Sequence, residues 1–75
     1  MHRYFFPIEL NGKSKRDADG VDLMDDAAAK REAIVTIAQL AAENIPHNGP
    51  LVLSVRVLDA ALSTIFKTTV TFDFE

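Results

Sequence analysis

Residues 25–44 read DDAAAKREAIVTIAQLAAEN, and this stretch predicts one amphipathic α-helix. Asp25 has the side chain to cap the first free N–H groups, and Asp26 complements the positive end of the helix dipole. Several apolar side chains recur at helical spacing and are expected to pack against a sheet. They are Ile34, Ile37, Ala38, Ala41 and Ile45, with Ala33 and Leu40 widening the stripe.

Alternating apolar and polar residues predict a strand before the helix, from Tyr4 to Leu10. Its inward face carries Tyr4, Phe6, Ile8 and Leu10. Pro7 cannot donate to a ladder, so we expect this strand at a sheet edge, or with the Pro7 nitrogen facing away from its neighbour. Asn11 and Gly12 then predict a hairpin turn, and residues 13–17 a short return strand.

Asp17 to Gly20 predicts a turn, after which Val21 and Leu23 are expected to point inward. Two strands are predicted behind the helix, from Leu51 to Leu58 and from Ile65 to Glu75. Their core-facing residues are Leu51, Leu53, Val55, Val57, Phe66, Thr68, Val70, Phe72 and Phe74.

These elements predict a single domain, residues 1–75, of the α+β class. A β-hairpin, one long α-helix and a second β-hairpin (ββαββ) place the helix on one face of a mainly antiparallel sheet. The chain has 75 residues, which is too short for two separate cores.

The composition predicts self-association. The chain has no cysteine, so it lacks the disulfides and cysteine zinc sites that reinforce small scaffolds, and a homodimer is the expected remedy. An unknown protein partner is also compatible with the sequence. Eight basic residues against eleven acidic ones give a net charge of −3, which does not favour nucleic acid as a partner.

The sequence also predicts a location. No apolar run approaches the roughly 20 residues that span a bilayer, and Met1-His2-Arg3 is not followed by the apolar run of a secretory signal. We therefore expect a cytoplasmic protein that does not associate with membranes.

Three motifs follow one another along the chain. They are Arg3-Tyr4-Phe5-Phe6, then an acidic glycine turn with Asp17, Gly20, Val21 and Leu23, then an alanine-rich helix with Asp25, Ala29, Glu32 and Ala33. Their order and spacing resemble a family of short bacterial domains of unknown function, and Gly49-Pro50-Leu51 and Val57-Leu58-Asp59 extend the resemblance. It implies this fold and a bacterial origin, and it implies no activity.

Two positions depart from the pattern of that family. Members often carry a histidine after the double phenylalanine, where this chain has Pro7, and a glycine in the last hairpin turn, where it has Leu62. No role of that histidine carries over to this chain.

The sequence offers no catalytic, cofactor-binding or metal-binding constellation. His2 and His47 are the only histidines, and neither has a second ligand at metal spacing. A calcium-loop alignment that places Gly20 at the bend puts Lys15 at the first ligand position. We therefore expect the acidic turn to be solvated and free of metal.

A candidate partner surface lies on the predicted sheet face away from the helix. That face is mainly polar, and its apolar exceptions, if they lie together, form a patch suited to a dimer contact. The candidate dimer or partner residues are Phe5, Val52, Arg56, Leu58 and Ile65.

A second candidate surface is basic. It combines Lys13, Lys15 and Arg16 at the predicted hairpin tip with Arg3 and the nearby Tyr4 and Phe5, since cations beside aromatic rings can hold phosphates and stack bases. The acidic turn follows at once, which makes this a weak nucleic-acid contact. The sequence thus favours a small non-enzymatic protein-interaction module that self-associates, with an antitoxin-like or regulatory nucleic-acid-associated protein as the alternative.

Overall fold

The computed structural model describes residues 1–44 and 50–73. In chain order the elements are β1 (His2–Tyr4), β2 (Ile8–Leu10), β3 (Lys13–Lys15), β4 (Val21–Leu23), α1 (Asp26–Glu43), β5 (Leu51–Leu58) and β6 (Thr64–Phe72). The α+β class and the helix on one face of an antiparallel sheet are confirmed, with four strands before the helix instead of two. The predictions for Ile45, His47, Phe74 and Glu75 lie outside the described residues.

Helix α1 begins and ends where its sequence predicts. The Asp25 carboxylate Oδ1 accepts a hydrogen bond from the Ala28 N–H at 2.9 Å, which is the expected N-cap. At the other end Asn44 donates to the Leu40 carbonyl from its backbone N–H at 3.0 Å and from its side-chain Nδ2 at 2.8 Å. Both ends therefore satisfy backbone groups that a helix terminus leaves free.

The buried stripe of α1 is narrower than the predicted one. It consists of Ala29, Ala33, Ile37 and Ala41, spaced four residues apart. The predictions for Ile34 and Ala38 are wrong, because Ile34 is 52% exposed and Ala38 is also exposed. Alanines dominate the contact and let the helix approach the sheet closely. Ile34 and Ala38 lie about 60° and 100° from Ile37 on one side of this stripe, and they therefore lie beside the core instead of in it.

The main sheet has four antiparallel strands in the order β3-β2-β5-β6. Strand β5 matches its prediction in bounds and faces, with Leu51, Leu53, Val55 and Val57 buried. Strand β6 pairs with it in the register Leu53↔Val70 and Val55↔Thr68, which places the predicted core face of β6 toward α1. No helix within residues 1–44 and 50–73 has the length and apolar content to cross a bilayer.

The predicted strand from Tyr4 to Leu10 is broken in two at Pro7. Strand β2 lies between β3 and β5, and Pro7 faces β5, where its carbonyl accepts a hydrogen bond from the Arg56 N–H at 3.1 Å. Both alternatives predicted for Pro7 are therefore wrong. Because Pro7 cannot return a bond to the Arg56 carbonyl, the ladder is interrupted between the Phe5↔Leu58 bridge and β2.

The freed N-terminal part, β1, pairs with β4 in a separate two-stranded sheet. This pairing was not predicted, because β4 has three residues and pairs across the intervening hairpin. Leu23 packs against the core as expected, whereas Val21 is 44% exposed and corrects the prediction that it points inward. Only the end of β4 next to α1 reaches the core.

The two predicted turns before the helix are present. Asn11 and Gly12 have φ values of 47° and 85°, the left-handed geometry of a two-residue hairpin. The return strand β3 stops at Lys15, short of the predicted Asp17, because the Asp17 carboxylate accepts hydrogen bonds from the backbone N–H groups of Phe6 and Gly20 at 3.0 and 3.1 Å.

The turn from Asp17 to Gly20 requires a glycine at position 20. Its φ is +72°, and a Cβ there would lie 2.8 Å from the Tyr4 carbonyl oxygen. Gly12 has a similar φ of +85° but open space around its Cα.

We predict that Gly20→Ala destabilises the domain more than Gly12→Ala does. Both variants carry the roughly 1–2 kcal/mol cost of a left-handed alanine, and only Gly20→Ala adds a clash with backbone. Chemical denaturation of the two variants measures the difference. Equal losses of stability would contradict the close approach of Gly20 to Tyr4.

Candidate functional site

An open groove lies on the face of β5 that points away from α1. It begins at the Phe5↔Leu58 bridge, where the two residues exchange backbone hydrogen bonds of 2.9 and 2.8 Å. The residues that line it are Phe5, Pro7, Arg16, Asp17, Ala18, Arg56, Leu58 and Leu62. We call this feature the helix-free groove.

The structure brings together three of the five predicted partner-surface residues. Phe5, Arg56 and Leu58 line the helix-free groove. Val52 is 41% exposed near the other end of β5 and does not line it.

The placement of Ile65 on this surface is wrong. The register between β5 and β6 shifts between Val57 and Leu58, where Val57 pairs with Phe66 and Leu58 with Thr64. Ile65 is the extra residue of this bulge, and it packs against the hydrophobic core. A bulge of one residue reverses the face on which a side chain lies, which simple alternation cannot anticipate.

The rim of the groove is basic. Within the described part of the chain, neither Arg16 nor Arg56 has a carboxylate within 4.0 Å. The nearby Asp17 carboxylate is occupied by two backbone N–H groups. The lining residues combine apolar side chains with two arginines, so the groove is suited to binding through apolar contact and charge.

Sequence reasoning missed Leu62 as a member of this groove. Leu62 is 63% exposed and has a φ of 64°, in the left-handed region. Its N–H donates to the Asp59 carbonyl at 2.8 Å, and the Asp59 N–H donates to the Ser63 carbonyl at 3.0 Å, which closes the turn. The signal was present in the resemblance, since family members often have glycine at this position and a glycine adopts such a φ without strain.

The predicted basic cluster is divided in the structure. Arg3 binds both carboxylate oxygens of Asp22, at 3.0 and 3.2 Å, and donates to the Asp19 carbonyl at 2.7 Å. It therefore ties β1 to the turn before β4. Lys13 and Lys15 are exposed on the edge strand β3, which pairs in the other sheet.

Tyr4 joins β1 to the start of the helix. Its side chain is 2% exposed, and its hydroxyl donates to the Asp26 carboxylate at 2.6 Å. This hydrogen bond, together with burial and the negative charges of Asp26, Asp25 and Asp59, raises the pKa of Tyr4 to about 12. Ionisation of the ring would place a second negative charge against Asp26.

The acidic turn and His2 form no recognisable metal centre. In residues 1–44 and 50–73 no group of three His, Cys, Asp or Glu side chains is placed to hold an ion. His2 is exposed and contacts Tyr4 edge to face, with ring centroids 6.4 Å apart.

The family model described as Domain of unknown function (DUF6894) matches residues 3–71. The chain belongs to this family. The match covers both sheets, the helix and all of the residues that line the helix-free groove. No curated protein and no solved structure matches the chain.

We predict that Leu62→Gly stabilises this DUF6894 domain by about 0.5–1 kcal/mol, because the left-handed backbone costs leucine roughly 1–2 kcal/mol and the greater chain entropy of glycine offsets part of that gain. Chemical denaturation measures the change. Ala61→Gly is the matched control, since Ala61 has no positive φ and the substitution should destabilise. A loss of stability in Leu62→Gly would contradict strain at this turn.

We predict that Tyr4 ionises near pH 12 in the folded domain and near pH 10 in denaturant. The chain has one tyrosine and no tryptophan, so phenolate absorbance reports on Tyr4 alone. Asp26→Asn removes the nearest charge and should lower the folded pKa.

The raised pKa of Tyr4 determines how the stability of the domain changes with pH. The folded domain keeps the phenol proton to a higher pH than the unfolded chain, so the contribution to stability is complete below about pH 10 and is lost between about pH 10 and 12. Denaturation at several pH values, with Tyr4→Phe as reference, measures this loss. A folded Tyr4 that ionises near pH 10 would contradict the hydrogen bond to Asp26.

Proposed function

We propose that this domain is a small non-enzymatic protein-interaction module that associates with itself. The outer edge of β6 carries the proposal. Strand β6 is the longer of the two edge strands of the four-stranded sheet, with nine residues against three in β3, and no described residue pairs with its outer edge. A long unpaired edge is a template for strand addition by another chain.

The exposed apolar side chains support the same function. Ile34 of α1 is 52% exposed, and Phe72 of β6 is 38% exposed. Among the described residues the buried core is small and has ten members. Four of these are alanines of α1 or the tyrosine of β1: Tyr4, Ala29, Ala33 and Ala41. A domain of this size gains stability when a second copy covers further apolar surface.

The acidic side chains support a non-enzymatic role, because several of them serve the backbone. Asp25 caps α1, and Asp17 holds the turn before β4. The Asp59 carboxylate accepts hydrogen bonds from the N–H groups of Ala61 and Ser63, both at 3.0 Å. These carboxylates are engaged in stabilising turns and a helix end, including that of Asp17, which also lines the helix-free groove.

We also propose that the domain is bacterial and acts in the cytoplasm. The resemblance of the Arg3-Tyr4-Phe5-Phe6 opening and the alanine-rich helix to short bacterial domains supports the origin.

One observation favours a regulatory nucleic-acid role as the second candidate. Lys13 and Lys15 are exposed on β3, and in the described part of the chain neither has a carboxylate within 4.0 Å. Arg3 does not contribute, since Asp22 neutralises it. Arg16 also has no carboxylate within 4.0 Å among the described residues, but it lines the helix-free groove. Three such cations in a domain of net charge −3 supply little of the phosphate neutralisation on which such binding depends, so self-association is the better-supported function.

We predict that the purified domain sediments as a dimer, at twice the chain mass of 8.3 kDa, when it is concentrated to the high micromolar range. The outer edge of β6 and the side chains of Ile34 and Phe72 are exposed in each copy, and association buries them. Analytical ultracentrifugation over a dilution series measures the equilibrium. A strictly monomeric species throughout the series would contradict the proposed function.

A further inference from the structure

The backbone of β6 divides into groups that bond inward and groups that point outward. The Arg56 N–H bonds to Pro7, and Asn11 bonds to the Val52 carbonyl, so the even-numbered residues of β5 bond toward β2. The odd-numbered residues of β5 therefore bond toward β6. In the observed register these residues lie opposite Phe66, Thr68, Val70 and Phe72.

It follows that the outward backbone groups of β6 belong to Lys67, Thr69 and Thr71. Their side chains are exposed on the sheet face away from α1. In an antiparallel pair made by two copies of β6, only these residues can exchange hydrogen bonds, and this leaves a small set of possible registers.

We propose that a second copy of this domain pairs with β6 antiparallel, in the register that places Lys67 opposite Asp73 of the second copy. The two four-stranded sheets then form one continuous sheet of eight strands. This inference rests on the proposed self-association and specifies its interface.

Charge selects the register. A lysine in the middle of an edge strand opposes strand addition unless a carboxylate lies across from it. The register centred on Lys67 places two ammonium groups opposite each other, and the next two place Lys67 opposite Thr69 or Thr71. Among the described residues, which end at Asp73, only the register centred on Val70 gives Lys67 a carboxylate, that of Asp73, the residue that follows β6.

The same register pairs compatible side chains along the rest of the edge. On the outer face Thr69 lies opposite Thr71 of the second copy, which is a favourable cross-strand pair. On the helix face Val70 lies opposite its own copy, and Phe72 lies opposite Thr68 of the second copy. Phe72, now 38% exposed, is thereby covered.

The helix supplies an apolar flank next to this edge. The Lys30 ammonium lies 6.0 Å from the centre of the Phe66 ring, so the Lys30 side of α1 faces β6. Ile34 lies one turn further along this flank and is 52% exposed. Antiparallel pairing of the two β6 edges places both helices on the same face of the joined sheet, and each copy then shields Ile34 of the other.

Reversing the charges of Lys67 and Asp73 tests the proposed pair. Lys67→Glu places two carboxylates opposite each other, and Asp73→Lys places two ammonium groups there, so each single variant should weaken the dimer about tenfold or more through its two equivalent pairs. The double variant Lys67→Glu/Asp73→Lys should restore the wild-type dissociation constant. Lys13→Glu, the same charge change on the opposite edge strand, is the matched control and should leave it unchanged.

The register is tested by cross-linking. The chain has no cysteine, so single-cysteine variants report one contact each. In the proposed register two copies of residue 70 face each other in a non-hydrogen-bonded pair, about 4.5 Å apart between Cα atoms, a spacing that permits a disulfide. Val70→Cys should therefore form a covalent dimer on mild oxidation, whereas Thr69→Cys should form far less.

Substitutions at two neighbouring residues of similar exposure test whether the apolar flank of α1 contributes to the dimer. Ile34→Lys should weaken the dimer, whereas Val35→Lys should not, because Val35 is 45% exposed and lies on the side of α1 opposite Ile37. Circular dichroism confirms that each variant keeps the fold.

The outcomes separate the inference from the proposed function. A wild-type dimer that is indifferent to Lys67→Glu and Asp73→Lys and does not cross-link through Val70→Cys would overturn the β6 interface and leave self-association standing. A wild-type monomer at all concentrations would overturn both. Efficient cross-linking of Thr69→Cys in place of Val70→Cys would overturn the register.

Discussion

Strand β5 is the constraint on which the rest of the structure depends. One of its faces is fully buried against α1, and both of its edges are paired, with β2 on one side and β6 on the other. Its alternation of buried and exposed residues fixes which side chains of each neighbour face the helix. Because β5 also fixes the direction of every backbone hydrogen bond in the sheet, it determines which groups of β6 are left for another molecule.

Apolar side chains remain exposed on the surface because the core is small. Alanines at 29, 33 and 41 bring α1 close to β5, and the helix then covers the centre of the sheet more fully than the β6 side. Ile34 and Phe72 are left half-exposed on that side. The opposite face keeps the helix-free groove, where Leu62 holds a left-handed conformation and adds an apolar side chain to the lining. Strain at an exposed residue beside a groove is more typical of a binding surface than of a packing requirement.

Local sequence patterns were sufficient to predict the elements that are long and bury one face. The bounds of α1, the faces of β5 and the Asn11-Gly12 turn follow from periodicity and turn chemistry, and the structure confirms them. The errors arise where one residue changes the register. Pro7 breaks a strand that alternation made continuous, and the bulge at Ile65 reverses its face. The pairing of β1 with β4 depends on contacts distant in sequence, such as Arg3 with Asp22, which no local pattern contains. Phe5, Arg56 and Leu58, three of the five predicted surface residues, therefore line one groove. They lie where β5 and the preceding strand keep a continuous register, from the Phe5↔Leu58 bridge to β2.

Amide hydrogen exchange, resolved by residue and measured at low and high protein concentration, tests the central claim most directly. The β5 amides and those of Phe66, Thr68, Val70 and Phe72 should be protected at both concentrations, because their bonds lie within the sheet. The amides of Lys67, Thr69 and Thr71 should exchange rapidly in dilute solution and become protected only when the domain is concentrated. Protection of these three in dilute solution, or rapid exchange of the even-numbered residues of β6, would contradict the role assigned to β5.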